Sequence, residues 1–162
     1  MKKLLYVLAF AMAGSPAVAN HCNKEEQIHA LALNMYHEAR GEGFEAMQLV
    51  GEVTLNRVNN EHFPDEVCDV VYQARYDRSG NPIRHECQFS WYCDGRSDKP
   101  RDEEMWNASL EIATGLVNGT LTLIGIDATH YHTTAVRPYW SKRYTMIGRY
   151  GNHIFYQMEN QL

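Results

Sequence analysis

Four cysteines, Cys22, Cys68, Cys87 and Cys93, stand behind a stretch that reads as an export signal, and that order limits what the rest of the chain can become. Residues 1–19 carry Lys2 and Lys3, an apolar run from Leu4 to Ala13, then Gly14, Ser15 and Pro16, and alanines at 17 and 19. A positive end, a short apolar stretch and small residues before the cut are what a secretory signal and its peptidase require, so cleavage after Ala19 is expected. The run is shorter than the ~20 residues that span a bilayer, so no stable membrane insertion is expected once the signal is gone. In an oxidising compartment four cysteines pair most simply as two disulfides, in any of three ways. A structural zinc site would want Cys-x2-Cys pairs, and the intervals here contain none.

Residues 20–162 are then one domain, because a chain of this size has no room for two independent cores. With 3 Trp, 10 Tyr and 5 Phe it has ample apolar surface to bury, which excludes a disordered chain. The full sequence has a formal charge of −5, and losing Lys2 and Lys3 takes it to −7. Binding nucleic acid by charge neutralisation is therefore disfavoured. A secreted or periplasmic monomer is expected.

From Lys24 to about Arg40 apolar residues recur at three and four, with Asn23 as N-cap, predicting a helix that buries one stripe. Gly41-Glu42-Gly43 interrupts it, and Phe44 to Val58 resumes the helical spacing. Pro64 suits the first turn of a short helix from Asp65 to Tyr72. Arg75 to Pro100 reads as a loop tied by cysteines, with a short strand at Gln88 to Tyr92. Asp102 to Val117 is helical again, stopped by Asn118-Gly119. Thr129 to Tyr156 alternates and is rich in Tyr, Thr, Trp and His, which fits hairpins or a small sheet. The fold class expected is α+β and predominantly helical.

Chemistry can be placed in three clusters. Tyr36-His37-Glu38-Ala39-Arg40-Gly41-Glu42 crowds ionisable groups at a helix C-terminus, where the helix dipole, a neighbouring carboxylate and burial would all raise a glutamate pKa toward that of a general acid. If the helix continued, Glu38 and Glu42 would share a face. Cys87-Gln88-Phe89-Ser90-Trp91-Tyr92-Cys93 could present aromatic faces to sugar rings, or could simply fill a core. His130 and His132, two apart on a strand, would point to one side, and with His153, or with His37 or Glu38, could open a zinc site. No Gly-x-Ser-x-Gly elbow and no phosphate loop occurs in the sequence.

Taken in order, the Tyr36–Glu42 segment, Leu55-Asn56-Arg57-Val58, Phe63-Pro64-Asp65 with Cys68 and Val70-Val71-Tyr72-Gln73, Gln88-Phe89-Ser90-Trp91, Ala128-Thr129-His130-Tyr131-His132 with Val136-Arg137-Pro138-Tyr139-Trp140, and Gly151-Asn152-His153-Ile154-Phe155-Tyr156 resemble the SleB/CwlJ-type cell wall hydrolases. The resemblance implies a lysozyme-like fold with a small β part, and cleavage of the β-1,4 bond between N-acetylmuramic acid and N-acetylglucosamine in peptidoglycan glycan strands. It assigns the catalytic role to Glu38. Gln88, Ser90, Tyr131 and Tyr156 are expected to bind substrate, with no metal and no other cofactor. A hydrolytic variant of the chemistry would need a second carboxylate, Glu42 or Asp94. Two other readings are a zinc amidase using His130, His132 and His153, and a glycan-binding module without catalysis.

Overall fold

A computed structural model describes residues 21–158, so the export signal expected at 1–19 lies outside the described residues. Helix α1 spans Lys24–Ala39 and opens with a reciprocal capping box: the Asn23 side chain accepts from the Glu26 amide and the Glu26 carboxylate accepts from the Asn23 amide. Rather than burying one stripe, α1 is buried continuously from Ala30 to Tyr36. It is the central rod of the helical layer, packed by α2 (Phe44–Val58), α3 (Val67–Val71) and α4 (Glu103–Asn118). Gly51 permits the closest approach, since a Cβ there would lie 2.6 Å from Leu116 Cδ1 and 2.8 Å from Met35 Sδ. A side chain at 51 would force the ends of Leu116 and Met35 to repack between the three helices.

Helix α3 begins three residues beyond Pro64, with Glu66 at its N-cap, so the proline stands in the preceding bend rather than in the first turn. The region before α4 also differs from expectation. Strand β1 (Ala74–Tyr76) pairs antiparallel with β2 (Pro82–Cys87), while Ser90–Cys93 is a single 3-10 turn, so no strand covers Gln88 to Tyr92. The cause is a buried polar link: Trp91 Nε1 donates to Asn34 Oδ1 at 3.0 Å, and Asn34 Nδ2 donates to Thr54 Oγ1 at 3.2 Å. Satisfying a buried indole N–H on α1 folds this segment inward, where an extended strand would carry it past. Phe89 and Trp91 both join the main core.

The disulfides are Cys22–Cys68 and Cys87–Cys93. The first closes a separation of 46 residues, for which chain entropy suggests a stabilisation of about 4 kcal/mol. The second ties the end of β2 to the 3-10 turn that carries Trp91.

Strands β3 (His130–Thr133), β4 (Thr145–Tyr150) and β5 (His153–Gln157) form an antiparallel sheet in the order β3-β5-β4. The register pairs Tyr131 with Phe155 and Thr133 with His153 on one face, and His130 with Tyr156 on the other. The Phe155 face closes a second core with Leu49, Val53 and Ala128 against the far side of α2.

The join between layers is polar. Buried Glu52 accepts from the amides of Ile124 at 2.6 Å and Gly125 at 2.9 Å, and from Gln48 Nε2 at 3.0 Å. One turn on, Asn56 Nδ2 donates to the carbonyls of Ile126 and Ala128. Arg57 Nε donates to the Thr129 carbonyl at 2.7 Å. This ladder along α2 lays down the connector from α4 and delivers β3 to the end of α1. No helix among the described residues is long and apolar enough to cross a membrane.

Candidate active site

Glu38 lies in the last turn of α1, just before a 3-10 turn at Arg40–Glu42. It is half-buried, and the Tyr131 hydroxyl donates to its Oε2 at 3.1 Å. Burial pushes the Glu38 carboxyl above the usual carboxylate range, while the Tyr131 hydrogen bond and the Arg57 charge pull the other way. The Tyr131 hydroxyl is raised well above its ordinary value, chiefly by burial, so it remains a donor.

Arg57 is 3% exposed and had no role in the sequence reading. Its guanidinium sits over the rings of Phe63 and Phe89, at 5.3 and 5.2 Å, and its Nη1 has no hydrogen-bond partner. A signal for it exists in the sequence. Val50, Thr54 and Arg57 fall at helical spacing, which puts a cation on a buried stripe. Close by, burial and then the Arg57 charge push the His130 imidazole down to about 4, so it is neutral at ordinary pH.

Two clefts meet at Glu38. One, of about 550 Å³, is walled by the end of α1 and the 94–101 loop; the other, of about 250 Å³, is walled by Gln88, Phe89, His130, Tyr131 and Trp140. Glu38 and Ser90 line both. Ser90, Gln88 and Tyr131 thus line a cleft together with the glutamate. Tyr156 lines neither cleft. It stacks on His132 and meets the Trp140 ring edge-on, behind the cleft wall. His132 Nδ1 donates to the Thr133 carbonyl at 2.8 Å, so its Nε2 accepts from the Tyr156 hydroxyl at 3.1 Å.

Glu42 is not free to serve as a second carboxylate. The 3-10 turn takes it off the α1 face, and it spans to the β4–β5 turn, where its Oε2 accepts from the Asn152 amide at 2.7 Å and its Oε1 lies 3.2 Å from His153 Nδ1. Gly151 makes room for it, with a φ of +54° and no side chain; a Cβ there would come within 2.5 Å of Glu42 Oε2. Asp94 does share a cleft wall with Glu38.

The three histidines of the zinc reading do not converge. His130 and His132 both pack on Trp140, whereas His153 packs on Tyr131 on the opposite face of the sheet. Among the described residues no group of three or more His, Cys, Asp or Glu side chains could hold a metal ion.

Comparisons with known proteins agree with this architecture. Residues 41–156 match the family model described as Cell Wall Hydrolase, a span that begins just after Glu38. The spore cortex-lytic enzyme of Halalkalibacterium halodurans is 32% identical over 134 residues, covering 81% of this chain and 34% of that protein. That of Bacillus subtilis is 30% identical over 131 residues, covering 79% and 36%. The chain therefore spans about a third of the length of these curated relatives. Among solved structures, the catalytic domain of the germination-specific lytic transglycosylase SleB from Bacillus anthracis superposes with a TM-score of 0.63 at 24% identity, covering 86% of this chain and all of that one. The SleB catalytic domain of Bacillus cereus gives 0.61 at 24% identity, covering 90% and 99%. The α+β, lysozyme-like fold is that of these domains, and with the family model covering most of its length, the chain belongs to the cell wall hydrolase family.

Proposed function

We propose that the chain is an exported enzyme of the cell envelope that cleaves peptidoglycan glycan strands as a lytic transglycosylase. It acts as a monomer on the β-1,4 bond between N-acetylmuramic acid and N-acetylglucosamine, with Glu38 as its acid and base. The observation that carries this reading is the position of Glu38: a half-buried carboxyl, raised by burial, at the meeting point of two clefts that can hold sugars on either side of one bond.

Protonated Glu38 donates to the glycosidic oxygen as the bond to the muramyl anomeric carbon breaks, leaving an oxocarbenium-like centre. The Glu38 carboxylate formed then takes the proton of the muramyl C6 hydroxyl, whose oxygen closes on the anomeric carbon to give a 1,6-anhydro ring. The proton returns to Glu38 and no water is consumed. Burial favours the neutral acid at the start. The Tyr131 hydroxyl and Arg57 stabilise the carboxylate that exists between the two transfers. The engagement of Glu42 with Asn152 and His153 leaves Asp94 as the carboxylate that a two-carboxylate hydrolysis would have to use.

In this reading Gln88 and Ser90 hydrogen-bond the sugars, Trp140 offers a ring face, and Tyr156 positions His132 and Trp140 from behind. The test is mass spectrometry of sacculus digests. Wild type is expected to release anhydro-muramyl products, and Glu38→Gln to lose them while keeping its melting temperature. Products undiminished in Glu38→Gln, or sacculus binding with no soluble product from wild type, would sink the assignment.

A further inference from the structure

The two clefts that meet at Glu38 differ in charge. The smaller has no Lys, Arg, Asp or Glu in its wall apart from Glu38 and the deeply buried Arg57. The larger is ringed by Arg40, Arg96, Lys99 and Arg101, with Asp94 and Asp98 on the same wall. All four cations are exposed, and none forms an ion pair with a carboxylate among the described residues. Four of the 15 Lys and Arg of a net-acidic chain thus gather on one side of one bond.

The backbone beneath them is tightly held. The Tyr36 hydroxyl accepts from the amides of Arg101 and Asp102, both at 2.9 Å, and His37 Nε2 donates to the Asp98 carbonyl at 2.9 Å. His37 in turn stacks on Trp91, with centroids 4.8 Å apart. The Cys87–Cys93 disulfide closes the chain just before this loop. Arg40 is fixed as well, donating to the Tyr36 carbonyl and lying over the Tyr36 ring. Of the two acids, Asp94 accepts from the Arg96 amide, so it serves the turn of its own loop.

We infer that this wall is a binding site for the anionic stem peptide of a peptide-substituted muramyl residue, and that the smaller cleft takes the uncharged neighbouring sugar. The inference rests on the peptidoglycan reading of the site. Bare glycan carries acetamido and hydroxyl groups and one lactyl carboxylate held close to each muramyl ring, whereas the stem peptide that caps this carboxylate reaches further from the ring and carries several. A basic rim carried on this held backbone beside the acid selects for those carboxylates and sets which way the strand lies across Glu38.

Soluble glycan chains of matched length, with stem peptides intact or removed by an amidase, test this. Binding is measured with Glu38→Gln, which does not turn over, and cleavage with the active chain. At 50 mM salt the peptide-bearing chains are expected to bind about tenfold more tightly and to be cleaved with about tenfold higher kcat/KM, a preference that shrinks toward unity at 0.5 M salt as charge is screened. The triple variant Arg96→Gln, Lys99→Gln, Arg101→Gln is expected to lose the preference. Equal binding of the two chains at low salt, or a preference retained in the triple variant, overturns the inference. Absence of cleavage with the binding preference intact would instead refute the enzymatic reading.

Discussion

Replacing Glu52 tests whether the active site depends on the polar ladder along α2. This carboxylate is 3% exposed and accepts from the amides of Ile124 and Gly125 at 2.6 and 2.9 Å, with Gln48 and a longer contact to Ile126 completing its shell. Hydrogen bonds to a charged group are worth about 1.5–3 kcal/mol each, so the two short ones together give about 3–6 kcal/mol. Residues 124 and 125 are exposed, and water can take up their freed amides, which lowers the net cost of Glu52→Ala to about 2–4 kcal/mol. Glu52→Gln keeps one acceptor oxygen but no charge and is expected to cost about 1–2 kcal/mol. Urea denaturation reads both values, and the melting temperature should fall by about 3–5 °C per kcal/mol for a chain of this size. The connector they anchor leads to Tyr131, so Glu52→Ala should also lower kcat at temperatures where it is fully folded. A Glu52→Ala protein within about 0.5 kcal/mol of wild type and fully active would refute the claim that this carboxylate holds the layers in place.

Two further outcomes concern protonation. The Tyr131 hydrogen bond favours ionised Glu38, so Tyr131→Phe raises the Glu38 pKa further; an acid that stays protonated to higher pH moves the alkaline limb of the pH–rate profile upward, and a downward move would contradict the assignment. His130, depressed to about 4, should show an imidazole NMR titration near that pH. Because its folded pKa lies below its unfolded value near 6.5, its contribution to stability is intact above about 6.5 and is lost as pH falls toward 4; a titration near 6.5 would remove both expectations.

The helical layer was readable because its information is local. Asn23 stands directly before the first turn of α1, the Gly119 stop follows a clean 3.6-residue pattern in α4, and the break around Glu42 is written as two flanking glycines. Two local readings went astray through distant partners. Phe89 and Trp91 alternate as a strand would, yet Asn34, 57 residues away, draws the indole inward. The α1 stripe widened to the whole circumference because three helices and the Trp91 turn surround it.

Glu38 itself stood out from charge crowding at a helix end and from the family motif around it, whereas its environment did not. Its hydroxyl donor lies 93 residues on, and Arg57 is held by a carbonyl 72 residues on. Which cysteines pair, which face of the sheet His153 occupies and which of two glutamates is left free are likewise facts of packing. The sequence by itself determined the long helices, the Asn23 cap and the Gly119 stop, and it singled out Glu38 as the candidate acid, since each rests on side chains within a turn or two of one another. The tertiary structure alone decided the protonation, the partners and the charge of the walls around that residue, because burial and charge at one carboxyl are sums over groups the chain brings together only when it folds.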